Sequence, residues 1–309
     1  MDGLRFSEHA ERCCEYLETS HISSDQDAVR MLRLQFEVEK FETARSLFFQ
    51  TRRANALILD AVTQADQVNI MAFVDHWEAE LTRYWIHIPD IEKTGNYDQE
   101  NAKEAAHNPA ELLRVQYAYA RICLFETSIE DSWWSDDSDR IEVLYKCLAA
   151  IKALQAIFLP VTQQPAILLN VPSHLFAESS HATFVAIQLG SVQCTDWSYK
   201  LVEKELNLLH VFDISVNSID NMLSSCLPSQ IPAFFFRIAP MGKNIKKWYV
   251  AKLLSWEEGD KARDVTDKLP VQEHDVDLDF LGQFLDLDDN IWLQNLLSPE
   301  ENQIPIPTS

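Results

Sequence analysis

Long runs of apolar residues at helical spacing, separated by short polar or proline-bearing turns, take up most of this chain. One is IEVLYKCLAAIKALQAIFLP, residues 141–160, ending at Pro160. Apolar positions recurring every three to four residues share one buried face only in a helical backbone. Six glycines among 309 residues leave too few tight turns for a sandwich or barrel. The expected fold class is therefore all-α: an irregular multi-helix bundle with a short acidic C-terminal helix. With 47% hydrophobic residues the chain can fill a sizeable core.

The helices can be placed by their ends. Ser7 is a candidate N-cap for HAERCCEYLE, in which Ala10, Cys13, Cys14 and Leu17 share a face. A second run begins near Asp25, with Val29, Leu32, Phe36 and residues 38–41 as its stripe. A third, residues 65–85, places Val68, Met71, Ala72, Trp77 and Leu81 on its apolar side and stops before Pro89. Asn108, Pro109 and Glu111 form a strong start signal, a capping residue, Pro at the first position and an acid in the first turn. The helix they open, ELLRVQYAYARICLFETSIEDSWW, is expected to be long and aromatic. Asp139 and Glu142 repeat the capping logic before the run ending at Pro160. The segment after Pro172 is apolar on most sides and reads as a central buried helix. Asp196 is expected to cap WSYKLVEKELNLLHVFDISVNSIDNML, and KKWYVAKLLSWEE follows Gly242.

Charge divides the chain. Lys268 is the last basic residue, and the residues beyond it carry nine acids, −9 of a net −22. The expected organisation is a helical body at 1–256, a linker at 257–272 and an acidic-aromatic tail at 273–309. A chain of this charge repels phosphate backbones, so direct DNA binding is not expected. No segment approaches about 18 uninterrupted apolar residues, and the polar N-terminal stretch has no hydrophobic secretory core. Most of the six cysteines lie in helix-periodic runs, as reduced thiols in a cytosolic or nuclear protein would.

Several stretches together resemble the regulatory domain of fungal zinc-cluster (Zn2Cys6) transcription factors. They are FSEHAERCCEYLE with SDQDAVRMLRLQFEVEK, LLRVQYAYARICLFETSI at 112–129, CLAAIKALQAIFLP at 147–160, and HATFVAIQLGSVQCTDWS at 181–198. The second is similar to the family's helix leading into a Tyr/Phe-Glu pair, here Phe125-Glu126. The fourth is followed by an Asp-Trp element, here Asp196-Trp197, and DDNIWLQNLL looks like an acidic-aromatic ending. The resemblance implies a nuclear transcription regulator, with the cytoplasm as an alternative location, and no enzyme. The family's paired-cysteine zinc cluster has no counterpart here: Cys13 and Cys14 are adjacent and the other cysteines are far apart. The expectation is a family member without its DNA-binding module, or one cut upstream. No cofactor is expected, with zinc only if a cluster lies upstream.

Within the tail, Phe280, Phe284, Leu285, Leu287, Ile291, Trp292, Leu296 and Leu297 are interspersed with Asp. Self-repelling acids keep such side chains accessible to a coactivator groove, so these eight are the candidate coactivator contacts. The competing reading docks the tail on the body, which would also keep an activator silent. Expected partners are coactivators or related zinc-cluster factors, through a homo- or heterodimer, with no membrane. A DNA-free protein that titrates intact factors of this type is the second reading.

No catalytic or metal residues are assigned. Asp136, Asp137 and Asp139 invite comparison with the Mg2+ sites of all-α enzymes such as class I terpene synthases, but Arg140 occupies the position a third carboxylate would need. Asp75, His76 and Glu78 point in different directions on a helix. His174 and His181 share a face, yet no third and fourth ligand can be placed with Cys194. The aromatics Tyr117, Tyr119, Phe125, Trp133 and Trp134 either fill the core or line a ligand pocket.

Overall fold

The computed structural model describes residues 8–58, 70–86, 109–163, 165–169 and 171–265. Of these, 88% are helical and none forms a strand. The fold is all-α. The chain divides into two units, Met1–Ser218 and Ile219–Ser309. The tail and the acidic C-terminal helix expected there lie outside the described residues.

In the first unit α1 (Glu8–Glu18) packs on α2 (Ser23–Ile58), which packs on α3 (Ile70–Ile86) and α4 (Pro109–Phe125). Two 3-10 turns, Glu126–Ser128 and Asp131–Trp133, lead into α5 (Asp137–Thr162), the neighbour against which α4 packs most extensively. A single turn, α6 (Pro165–Leu168), precedes α7 (Ser173–Ser191), followed by α8 (Tyr199–Leu206). Both α7 and α8 pack on α5. The helix α9 (Leu208–Ser225) runs from the first unit into the second, which also contains α10 (Ala233–Val265).

The core is centred on α5. Val143, Leu144, Cys147, Ile151, Leu154 and Phe158 are buried along it, and each such side chain contributes roughly 1.5–3 kcal/mol by leaving water. Among the described residues α5 alone is long and apolar enough to cross a membrane. Its packing against α4, α7 and α8 accounts for that composition as a core helix's. Further out, Val29, Leu34 and Phe41 are buried on α2, whereas the expected stripe member Leu32 is 46% exposed. On α3 the buried positions are Ile70, Val74 and Leu81, and Ala72 faces solvent.

Several helix ends differ from expectation. The α4 helix stops at Phe125, because Thr127 and Ser128 turn their hydroxyls onto the carbonyls of Leu124 and Phe125 (2.9 and 2.7 Å) and tighten the chain into a 3-10 turn. The cap of α5 is Asp136, whose carboxylate accepts from Ser138 N at 2.7 Å, three residues before the expected one. Asp196 is not a cap. It sits at φ 64, a conformation Asp tolerates, in a turn bridged between Cys194 and Trp197. Ser198 caps α8 instead, accepting from Leu201 N.

The long helix expected after Trp197 is broken at Asn207, which adopts the left-handed conformation at φ 48. Glu203 then reaches across the break and accepts from Leu208 N and Leu209 N at 3.2 and 3.3 Å, capping α9. In the second unit α10 begins at Ala233, well before Gly242, and runs through Pro240 and Gly242 into the expected linker as far as Val265. A proline inside a helix removes one backbone bond without necessarily ending it.

Candidate functional site

The polar centre of the first unit lies where α2, α4 and α7 meet. Tyr119, Cys123 and Glu126 follow one another at successive turns along α4 and its 3-10 extension, so they line one face. Glu126 is gripped through both oxygens. Arg45 Nη1 of α2 donates to Oε1 at 2.6 Å, and His181 Nε2 of α7 lies 3.0 Å from Oε2. Arg45 also holds Glu42 at 2.5 Å and places its guanidinium 5.6 Å from the centre of the Phe41 ring. Tyr119 stands edge-on to the His181 ring, with 5.6 Å between centroids.

Burial acts on every charge in this cluster, and the partners decide the outcome. It pushes the Glu126 carboxyl up, but His181 and Arg45 together hold it below its ordinary value. Burial likewise opposes a charged His181, yet Glu126 raises its pKa above that of a free histidine. For Glu42 burial wins, and its pKa is raised despite Arg45. The Tyr119 hydroxyl and Cys123 thiol are both pushed up, first by burial and then by nearby groups that include Glu126. Cys123 is an inert thiol in this setting.

Glu178 stands one turn before His181 on α7. Its Oε2 is buried without a hydrogen-bond partner, and burial alone raises its pKa to about 8. Nδ1 of His181 is buried and unpartnered as well. The cluster thus combines a satisfied Arg–Glu–His staple with two spare polar atoms at its α7 edge. Chemically it can hold three helices in register and take up protons near neutrality.

A second staple fixes the turn that presents Glu126. Arg140, 2% exposed, donates through Nε to Ser128 O and through Nη2 to Ile129 O, at 2.8 and 2.9 Å, and pairs with Asp131. Sequence reasoning used Arg140 only as an obstacle to metal binding. Its position is that of a buried organiser of the α4–α5 connection.

The eight candidate coactivator contacts, Phe280, Phe284, Leu285, Leu287, Ile291, Trp292, Leu296 and Leu297, lie outside the described residues. The aromatics considered for a pocket do not converge. Tyr117 stacks on Trp85 at 4.1 Å, Trp133 stacks on Phe49, and Trp134 donates to Thr127 O at 3.0 Å. Phe125 is fully buried. A small apolar cleft lies elsewhere, between Val115, Phe158, Val161 and Leu175. His174 is exposed and His181 is committed to Glu126, so the two do not form a pair. Asp75 and His76 face solvent, while Glu78 is joined to Lys146 of α5 at 2.9 Å. Among the described residues no three His, Cys, Asp or Glu side chains group as metal ligands would. All six cysteines are free.

No family model, curated protein or solved structure matches this chain.

What sequence reasoning missed is the staple. The available signal was polar: Glu178 and His181 sit on a helix that is apolar on most sides, where a polar side chain must find a partner or pay desolvation.

Proposed function

We propose that this chain is a transcription regulator of the fungal zinc-cluster type, acting in the nucleus, in which a helical body carries an acidic tail that contacts coactivators. The observation that carries the reading is the tail itself: nine acids, no Lys or Arg, and large apolar residues from Phe280 to Leu297 that include the eight candidate contacts. Support also comes from the body. Two of the stretches that resemble the family, 112–129 and 181–198, meet at the Glu126–His181 contact, and Phe125 of the Phe-Glu pair is fully buried beside it.

The test is a fusion of residues 269–309 to an unrelated DNA-binding domain, read by a reporter. Activation that disappears in Phe284→Ala/Trp292→Ala is expected, and a silent parent fusion would defeat the coactivator role.

A second reading, a DNA-free protein that dimerises with or titrates intact zinc-cluster factors, draws on the first two helices. Tyr16, Ile22, Leu32 and Leu47 are 77, 59, 46 and 59% exposed, leaving apolar side chains open to a partner on α1, on α2 and in the turn between them. Co-purification with a zinc-cluster protein, lost on Leu32→Glu/Leu47→Glu, would favour it.

A further inference from the structure

One stretch of the second unit runs against the acidic charge of the rest of the chain. Between Asp220 and Glu257 stand Arg237, Lys243, Lys246, Lys247 and Lys252, with no acidic residue among them. All five lie on α10, and the helix turns a mixed face to solvent. Phe236, Val250 and Leu254 are 42, 38 and 56% exposed, and the exposed Lys243 and Lys247 lie between them. Phe236, Lys243, Lys247, Val250 and Leu254 follow at spacings of seven, four, three and four, which keeps them on a single stripe. That stripe extends over about 27 Å of helix. Apolar positions flank a positive centre.

An occupant must therefore be apolar at its ends and negative in its middle. A second copy of α10 does not qualify. Antiparallel about the centre of the stripe, Lys243 would meet Lys247, and in parallel each lysine would meet itself. The tail has the complementary pattern. Phe280, Phe284, Leu287 and Ile291 repeat at spacings of four, three and four, and Asp286, Asp288 and Asp289 are interspersed. Its position also favours it. From Leu254 to the end of α10 at Val265 is about 17 Å of helix. The residues between Val265 and Phe280 span about 50 Å when extended and about 21 Å as a flexible coil. The tail can thus fold back onto the stripe without strain, at the millimolar effective concentration of a short tether. Lys243 now pairs with Asp220 at 2.8 Å, but both are well exposed, so this pair yields readily to the tail.

We infer that the Phe236–Leu254 stripe of α10 is the docking surface for this chain's own acidic-aromatic tail, residues 273–297, which is withheld from partners while docked. The regulatory consequence rests on the activation reading above; the docking itself does not.

The experiment uses the full chain, half of it isotope-labelled, treated with a carbodiimide that joins carboxylates to amines without a spacer. Cross-linked peptides are read by mass spectrometry. Expected are links from Lys243 or Lys247 to Asp286, Asp288 or Asp289 within one isotope, lost in Lys243→Glu/Lys247→Glu. They should return, with donor and acceptor exchanged, when Asp286→Lys/Asp288→Lys is added. Links that mix isotopes would show a second copy in that place and overturn the inference. So would the absence of tail links in the parent chain, or a charge exchange that fails to restore them. A silent tail fusion with these links intact would sink activation and leave docking standing. An active fusion without the links would do the reverse.

Discussion

His181 Nε2 on α7 lies 3.0 Å from Glu126 Oε2 at the end of α4, and the other oxygen of the same carboxylate accepts from Arg45 of α2 at 2.6 Å. Three helices remote in sequence are thereby tied through one side chain. Removing the carboxylate leaves Arg45 with Glu42 alone and His181 without a counter-charge. Glu126→Gln is expected to cost about 2–4 kcal/mol, less than a fully buried pair because the site keeps some solvent access. In a double-mutant cycle with His181→Gln, a coupling of about 1–2 kcal/mol is expected from urea unfolding. Additive losses would show that the two residues act separately.

Protonation of the same cluster makes stability depend on pH. Glu178 has its pKa raised from 4.5 to about 8 by burial, so the unfolded chain releases this proton at lower pH than the folded one. The unfolded state then binds fewer protons, and stability falls as pH rises from about 4.5 to about 8. His181 adds to the slope in the same direction. Its pKa is raised by Glu126, so its contribution is complete below 6.5 and is lost as pH rises through the folded value. Glu178→Gln should flatten the decline, with little effect near pH 5 and a gain near pH 8. Urea midpoints across that range provide the measurement, and an unchanged slope would contradict the assignment.

Most helices were legible because their signals are local. Pro109 at the first position of α4 and Pro172 before α7 mark starts that the structure keeps. The burial of much of α7, from Leu175 to Leu189, followed from apolar residues on most of its sides. The breaks were harder. Asn207 is of the type that most readily takes the left-handed conformation after Gly, but Asn also stands inside helices here, and the α8–α9 break depends on Glu203 reaching over to Leu208 and Leu209. The staple was out of reach for another reason: Arg45 and Glu126 are 81 residues apart, and each has an ordinary place on its own helix. Only the packing of α2 and α7 on α4 brings them together. Arg140 entered the sequence reading only as the residue standing where a third carboxylate would be needed, because its carbonyl partners at Ser128 and Ile129 come from a turn that forms only when α4 packs on α5.

That residue supports a separate prediction. Arg140 spends its guanidinium on Ser128 O, Ile129 O and Asp131, and it is almost wholly buried. Arg140→Ala would leave two carbonyls without their donor and a cavity beside the α4–α5 turn. A loss of about 3–5 kcal/mol is expected. Arg140→Lys should recover only part of it, because a single ammonium cannot reproduce the planar fork. Thermal unfolding of the three proteins checks the order, and equal stability of parent and alanine variant would refute it.

The last prediction concerns nucleic acid. The net charge of −22 is offset locally between Asp220 and Glu257, where five Lys and Arg residues stand with no acid among them. Affinity for a duplex comes largely from counterions released as basic residues neutralise phosphates. Five cations on one helix, facing a strongly acidic remainder, supply little of it. A labelled duplex should therefore show no rise in fluorescence anisotropy with the full chain at about 0.15 M salt. If the α10 stripe does hold the tail, lowering the salt should not reveal binding either, since the same ions strengthen the docked state as they are removed. Binding that emerged with Asp286→Asn/Asp288→Asn, which adds no cation, would show that the tail had covered a basic surface able to take phosphate. Tight, sequence-selective binding by the parent chain would overturn the view that this chain regulates without touching DNA itself.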